Sequence, residues 1–218
     1  MKVFTHYTPL ESGNDGIRWR TILQFGTSWE IKGSVVMKNP GTANFKSTNH
    51  AAINSAEELE HLRLFDDGEL KADWYEFSSD HTMGCIGRLF SEYYAAKGEQ
   101  LDGIIQIFNL FYLREANLAT ALSKARQLDF ANMVDYDVRH LSFPVYLGFA
   151  NLARHKKHGV TARKFFDAAK ELGASYLNDN FKENAFTHPL YLMMYGKNKE
   201  KCIRTKYQFI QNTLTPVL

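Results

Sequence analysis

Cysteine is scarce in this sequence: Cys85 and Cys202 are the only two in 218 residues, and no C-x-x-C pair occurs. Two distant thiols build neither a zinc cluster nor a disulfide scaffold, so a reduced, cytoplasmic setting is expected. Long hydrophobic runs are missing too. No apolar stretch nears the roughly 18 to 20 residues of a membrane span, and no membrane partner is expected. The opening residues, Met1-Lys2-Val3-Phe4-Thr5-His6, contain no apolar core of a signal peptide. Charge of one sign is nearly balanced out, at +2 in total. Any nucleic-acid surface must therefore be a local basic face. There is no Walker loop, no G-x-G-x-x-G and no H-E-x-x-H. Nucleoside triphosphatase, dinucleotide-binding and zincin chemistry have no motif to rest on.

What is present is ordinary for a folded protein, with 44% hydrophobic and 23% charged residues. The length fits a single domain over 1–218. Strand patterns are expected over 17–25, 33–37, 103–111 and 143–149, with a weaker one at 175–177. Helices are expected near 55–64, from Asp80 as N-cap to a stop at Gly98, over 117–140, near 160–172 and near 198–214. The turn-rich residues 11–16 suggest an N-terminal β hairpin, and 42–80 is the least regular part. Strands alternating with helices predict an α/β fold: a three-layer α/β/α domain with a mostly parallel central sheet. Ligands of such sheets bind off the carboxyl ends of the strands. Asn39, Asn109 and the segment after Phe149 thus become candidates.

Each candidate also has a plain structural explanation. Asn39-Pro40-Gly41 can be a simple turn. Asn109 can merely end a strand. His188 can be a surface histidine, and the lysines and arginine near the carboxyl end can be a solvated helix face. Their ordered combination is more informative. The stretch Val35-Val36-Met37-Lys38-Asn39-Pro40-Gly41-Thr42-Ala43 resembles the L-N-P-S-T-A signature of a bacterial family of unknown function. In that family N-L-F and H-P-L-Y segments follow, as Asn109-Leu110-Phe111 and His188-Pro189-Leu190-Tyr191 do here.

The same pattern resembles the uracil-DNA glycosylase superfamily over roughly 35–200. Met37-Lys38-Asn39-Pro40-Gly41 is similar to the G-I-N-P-G motif of its mismatch-specific branch. The run from Ile105 to Arg114 is similar to the L-L-L-N-x-x-L-T-V-R strand of its uracil-specific branch, and His188-Pro189-Leu190 to that branch's H-P-S-P-L. Two positions depart. Asn39 stands where the uracil branch has its water-handling Asp, and Leu190 where it has Ser after His-Pro.

The resemblance implies a DNA glycosylase that needs no metal or cofactor, and it makes DNA the expected partner. Such an enzyme flips a nucleotide out of the stack and breaks its C1′–N bond through an oxocarbenium-like transition state. Asn39 would hold the attacking water, and Asn109 would read the base edge with its amide. His188 would stabilise charge leaving on the base. Phe45, Phe111 or Tyr112 would stack on the base. Pro40, Gly41, Thr42, Lys197, Lys199 and Arg204 would meet phosphates. Glu115 and Glu183 are the carboxylates nearest the motifs. The long 42–80 segment leaves room for a base larger than uracil, such as a bulky modified cytosine of phage DNA. The main rival is a non-catalytic nucleic-acid or nucleotide binder on the same fold. Another is a hydrolase of free nucleosides or nucleotides.

Overall fold

A computed structural model describes residues 1–10, 16–41, 43–66, 72–115, 117–194 and 199–211 of the chain. Six strands form one sheet: β1 (Lys2–Pro9), β2 (Gly16–Phe25), β3 (Ile31–Met37), β4 (Trp74–Glu76), β5 (Gly103–Asn109) and β6 (Val145–Leu147), in the order β4-β1-β2-β5-β3-β6. The sheet is mixed. Its core strands β5, β3 and β6 run parallel. β2, β1 and β4 extend it antiparallel. The expected parallel arrangement therefore holds for the strands that carry the motifs, and not for the other half. The reason lies in the connections: a parallel return needs a long crossover, which the first 25 residues do not contain. The expected turn at 11–15 lies outside the described residues.

The strands alternate as a pleat requires. Val35 and Met37 of β3 and Ile105 and Ile107 of β5 join one buried cluster, while Val36 and Phe108 join another. Both faces must then be covered. Helices α2 (His81–Ala95), α6 (Pro189–Met194) and α7 (Lys199–Gln211) cover the first face with Phe90, Tyr93, Leu192 and Phe209. Helices α3 (Leu118–Lys124), α4 (Ala131–Arg139) and α5 (His158–Glu171) cover the second with Ala121, Val134, Phe165 and Phe166. Helix α1 (Ala56–Leu62) closes a third cluster around Phe4, Ile22 and Ile104. Phe165 has no exposed surface, and its truncation to Ala would cost about 3–5 kcal/mol.

Local signals explain most of these elements. The Asp80 side chain accepts from Met83 N at 2.8 Å and starts α2. Ser55 does the same for α1 through Glu58 N. Gly98, with φ +76°, follows the end of α2 in the left-handed region that glycine tolerates. Three expectations need correction. The segment 117–140 is two helices, broken at Leu128-Asp129-Phe130. The irregular 42–80 segment contributes β4 as an edge strand as well as α1. Residues 175–177 form a turn, with Leu177 N donating to Ala174 O. Tyr176 serves the sheet by its side chain instead: Leu147 N on the β6 edge donates to the Tyr176 hydroxyl at 3.0 Å. Among the described residues no helix is long and apolar enough to cross a membrane.

Candidate functional site

β3 and β5 are parallel neighbours in register, Met37 opposite Asn109. Their carboxyl ends are tied by Leu110 N, which donates to both Met37 O and Lys38 O at 3.1 Å. Asn39 and Asn109 therefore leave the sheet side by side. On the other flank of β3, the chain after β6 is pinned by Gly148 N donating to Val36 O at 2.8 Å. A Cβ on Gly148 would lie 2.8 Å from Pro189 Cδ and 3.1 Å from Met37 Sδ. Only glycine lets the His188-Pro189 turn pack this close. Tyr146 holds the approach to that turn, its hydroxyl donating to Thr187 O at 2.6 Å.

The result is a cleft of about 220 Å³ at the carboxyl edge of the parallel strands, lined by Asn39, Asn109 and His188 together. Pro40 and Gly41 line it as well, whereas Thr42 lies outside the described residues. Four charged side chains that the motifs did not single out share the cleft: Arg18, Lys38, Asp80 and Glu115. Met83 and Ile86 of α2, Ile107 of β5 and Leu118 of α3 supply apolar wall.

The three motif residues differ in what they have left to offer. Asn39 spends its amide nitrogen on Pro40 O (3.0 Å) and Glu115 O (2.9 Å). Its oxygen keeps its acceptor capacity. Asn109 is 2% exposed, and its side chain makes no hydrogen bond to a described residue. A buried primary amide in that state offers both donors and an acceptor to the cleft. His188 accepts from Leu190 N at Nδ1, 3.3 Å away. A backbone N–H can only donate, so the neutral ring carries its proton on Nε2. Burial, and then the charge of Lys38, push the His188 pKa down to about 4. The imidazole is a neutral donor at neutral pH.

The carboxylates are unequally committed. Glu115 accepts from Asn117 N at 2.9 Å and lies 3.6 Å from the Lys124 ammonium. Asp80 uses Oδ1 to cap α2, and its Oδ2 faces Gly41, 3.1 Å from where a Cβ would stand. Asp80 is thus the carboxylate with a free oxygen beside the Asn-Pro-Gly turn.

The expected stacking aromatics are elsewhere. Phe111 is 1% exposed and packs its ring on His158. Tyr112 is fully buried and donates its hydroxyl to the Asp137 carboxylate. Both continue the buried strand into the core instead of following Asn109 to the cleft. Phe45 sits among Tyr7, Tyr75 and Phe77, with its ring against His50, and is not part of the cleft lining. The basic helix is also displaced. α7 buries Cys202 and Phe209 against the first face. That contact carries Arg204 to a different cavity, of about 430 Å³, whose lining shares no residue with the cleft. Lys206 is held by Glu92 at 2.7 Å. Lys199 is exposed at the start of α7, and Lys197 lies outside the described residues.

Of the additional cleft residues, Asp80 was visible in the sequence as a helix cap, Glu115 as a carboxylate near the second motif and Lys38 as a neighbour of Asn39. Arg18 carried no local signal, because it belongs to a strand that the motif pattern does not include. Compared with protein-family models, curated proteins and solved structures, the chain matches none of them.

Proposed function

We propose that this chain is a DNA glycosylase of the uracil-DNA glycosylase kind, which takes a flipped base into the cleft and hydrolyses its N-glycosidic bond. One observation carries the reading: Asn39, Asn109 and His188, from three separate motifs, line a single cleft at the carboxyl edge of parallel strands. The cleft's roughly 220 Å³ is below the roughly 300–1,000 Å³ of pockets that hold drug-sized ligands, so it suits one base and not a whole nucleotide.

The chemistry follows from the free atoms. Asn109 reads the base edge with its unpartnered amide. Asn39 Oδ1 and the Asp80 carboxylate are acceptors for an attacking water. The carboxylate can take the proton, which an amide cannot. Water oxygen bonds to C1′ as the C1′–N electron pair leaves with the base. His188 donates Nε2–H to the base as that charge develops, and it needs no proton from solution to do so. DNA phosphates would meet the backbone at Pro40-Gly41 and cations around the cleft rim.

A specific observation favours a second reading, a non-catalytic nucleic-acid or nucleotide binder. None of Phe45, Phe111 and Tyr112 lines the cleft, so the expected stacking platform is missing. One experiment separates the two. The protein is incubated, with chelator and in parallel with Mg²⁺, with DNA carrying uracil, a thymine mismatch or a bulky modified cytosine, and abasic sites are scored by alkali. Alkali-labile sites on one of these DNAs, with strands intact before alkali, are the expected result. Strand cuts that need Mg²⁺ and no alkali would make the protein a nuclease. Binding without any abasic site would favour the binder.

A further inference from the structure

We infer that Arg18 is an anion-binding residue at the inner wall of the cleft, and that the cleft's ligand presents an oxyanion to it. The mixed sheet brings this residue there. β2 runs antiparallel to β5, so its amino end, and not its carboxyl end, lies beside the loops after β3 and β5. Arg18 N donates to Tyr112 O at 2.9 Å and holds the strand in place. The side chain then lines the cleft with only 3% of the residue exposed.

The protein gives this guanidinium little in return. Nη1 reaches Ala43 O at 3.5 Å, the outer limit of a hydrogen bond. Nε is sealed from solvent and has no acceptor. The Phe77 ring lies 5.5 Å away. Asp80 acts on Arg18 only as a charge at a distance, and Arg114 opposes it. Burial lowers the Arg18 pKa to about 10, the mark of a charge that its surroundings do not repay. A second cation, Lys38, lines the same cleft and is itself depressed by burial.

An unpaired buried charge is costly, and an apolar side chain of similar length would pack better. What an arginine adds is a flat fork of donors matched to carboxylate or phosphate oxygens. Asn109 beside it adds neutral donors of its own. A small oxyanion fits the donor set and the volume of about 220 Å³, whether free, carried on a base, or as the phosphate end of a nucleotide whose remainder stays outside the cleft. This goes beyond the glycosylase reading, since it holds whether the cleft cuts its ligand or only holds it.

The test is calorimetric titration of the whole chain with inorganic phosphate, a deoxynucleoside 5′-monophosphate, orotate as a base bearing a carboxylate, and thymidine as the uncharged control. At least one anion is expected to bind more tightly than thymidine and to shift the Asn109 side-chain amide signals in an NMR spectrum. Phosphate binding by itself would indicate a free anion, whereas binding of the monophosphate or orotate alone would indicate an anion carried by a nucleotide or base. Arg18→Met is expected to weaken the binding by about tenfold to a hundredfold, the worth of a charge-assisted hydrogen bond, and to melt no lower than the wild type. If Arg18→Met does not fold, Arg18→Gln takes its place. Unfolding of both would assign Arg18 to the structure alone and overturn the inference. So would unchanged binding in a folded variant, or no anion binding to the wild type. None of these readouts uses catalysis, so failure here leaves the proposed reaction standing.

Discussion

The Asn39 amide nitrogen donates to the carbonyl oxygen of Glu115 across 2.9 Å and so joins the loop after β3 to the loop after β5. The residue expected to handle water is first of all a fastener of two loops. Removing the donor should therefore be felt in stability as well as in chemistry. Asn39→Ala is expected to cost about 1 kcal/mol, the net worth of such a bond. Asn39→Asp should cost more, about 1–3 kcal/mol, because it sets a carboxylate against two carbonyl oxygens. Urea unfolding curves measure both. Abasic-site formation should fall further than either stability loss explains.

His188 makes acid stability a test of the cleft. Its pKa is lowered from the ordinary 6.5 to about 4, so between those values the unfolded chain binds the extra proton. Stability is then complete above pH 6.5 and is lost as pH falls towards about 4. His158, also lowered to about 4 by burial, adds to the same slope. The urea midpoint of His188→Gln should fall less over this window than that of the wild type. Lys38→Met should raise the His188 pKa, read from its ring-proton NMR titration. An activity profile with a limb near pH 6.5 that disappears in His188→Gln would contradict a neutral donor.

Tyr112 offers the sharpest contrast between core and site. Its hydroxyl is buried against the Asp137 carboxylate. Tyr112→Phe should cost about 1–3 kcal/mol by removing a donor from a buried charge. Binding of DNA or nucleotide should be unchanged once folding is matched. A loss of binding without a loss of stability would return this ring to the ligand.

Salt dependence separates the cations of α7. Lys206 is engaged with Glu92, so Lys206→Met should leave the salt slope of DNA binding where it was. Arg204 lines an open cavity on the same helix, and Arg204→Gln should reduce the slope by about one if it meets a phosphate. Fluorescence titrations of labelled duplex at several salt concentrations give both slopes.

Much of this molecule was determined within short stretches of chain. The apolar run of β5, the strand pattern of β2, the cap at Asp80 and the stop at Gly98 are local preferences, each expressed over a few residues, and the sequence alone located them. The order of strands and helices also implies the edge where parallel strands end, which made Asn39 and Asn109 candidates, whereas His188 entered only through the resemblance of its His-Pro motif. The tertiary structure decided the rest. Whether β2 lies beside β5, and in which direction, depends on pairing between residues far apart in the chain, and that pairing brings Arg18 to the cleft. The direction of the chain after Asn109 depends on the helices that cover the second face, and they draw Phe111 and Tyr112 into the core. The basic face of α7 follows from burial of Cys202 and Phe209 on the opposite side. Local preference has a range of a few residues, whereas burial of a charge or a ring is settled by whichever element packs over it.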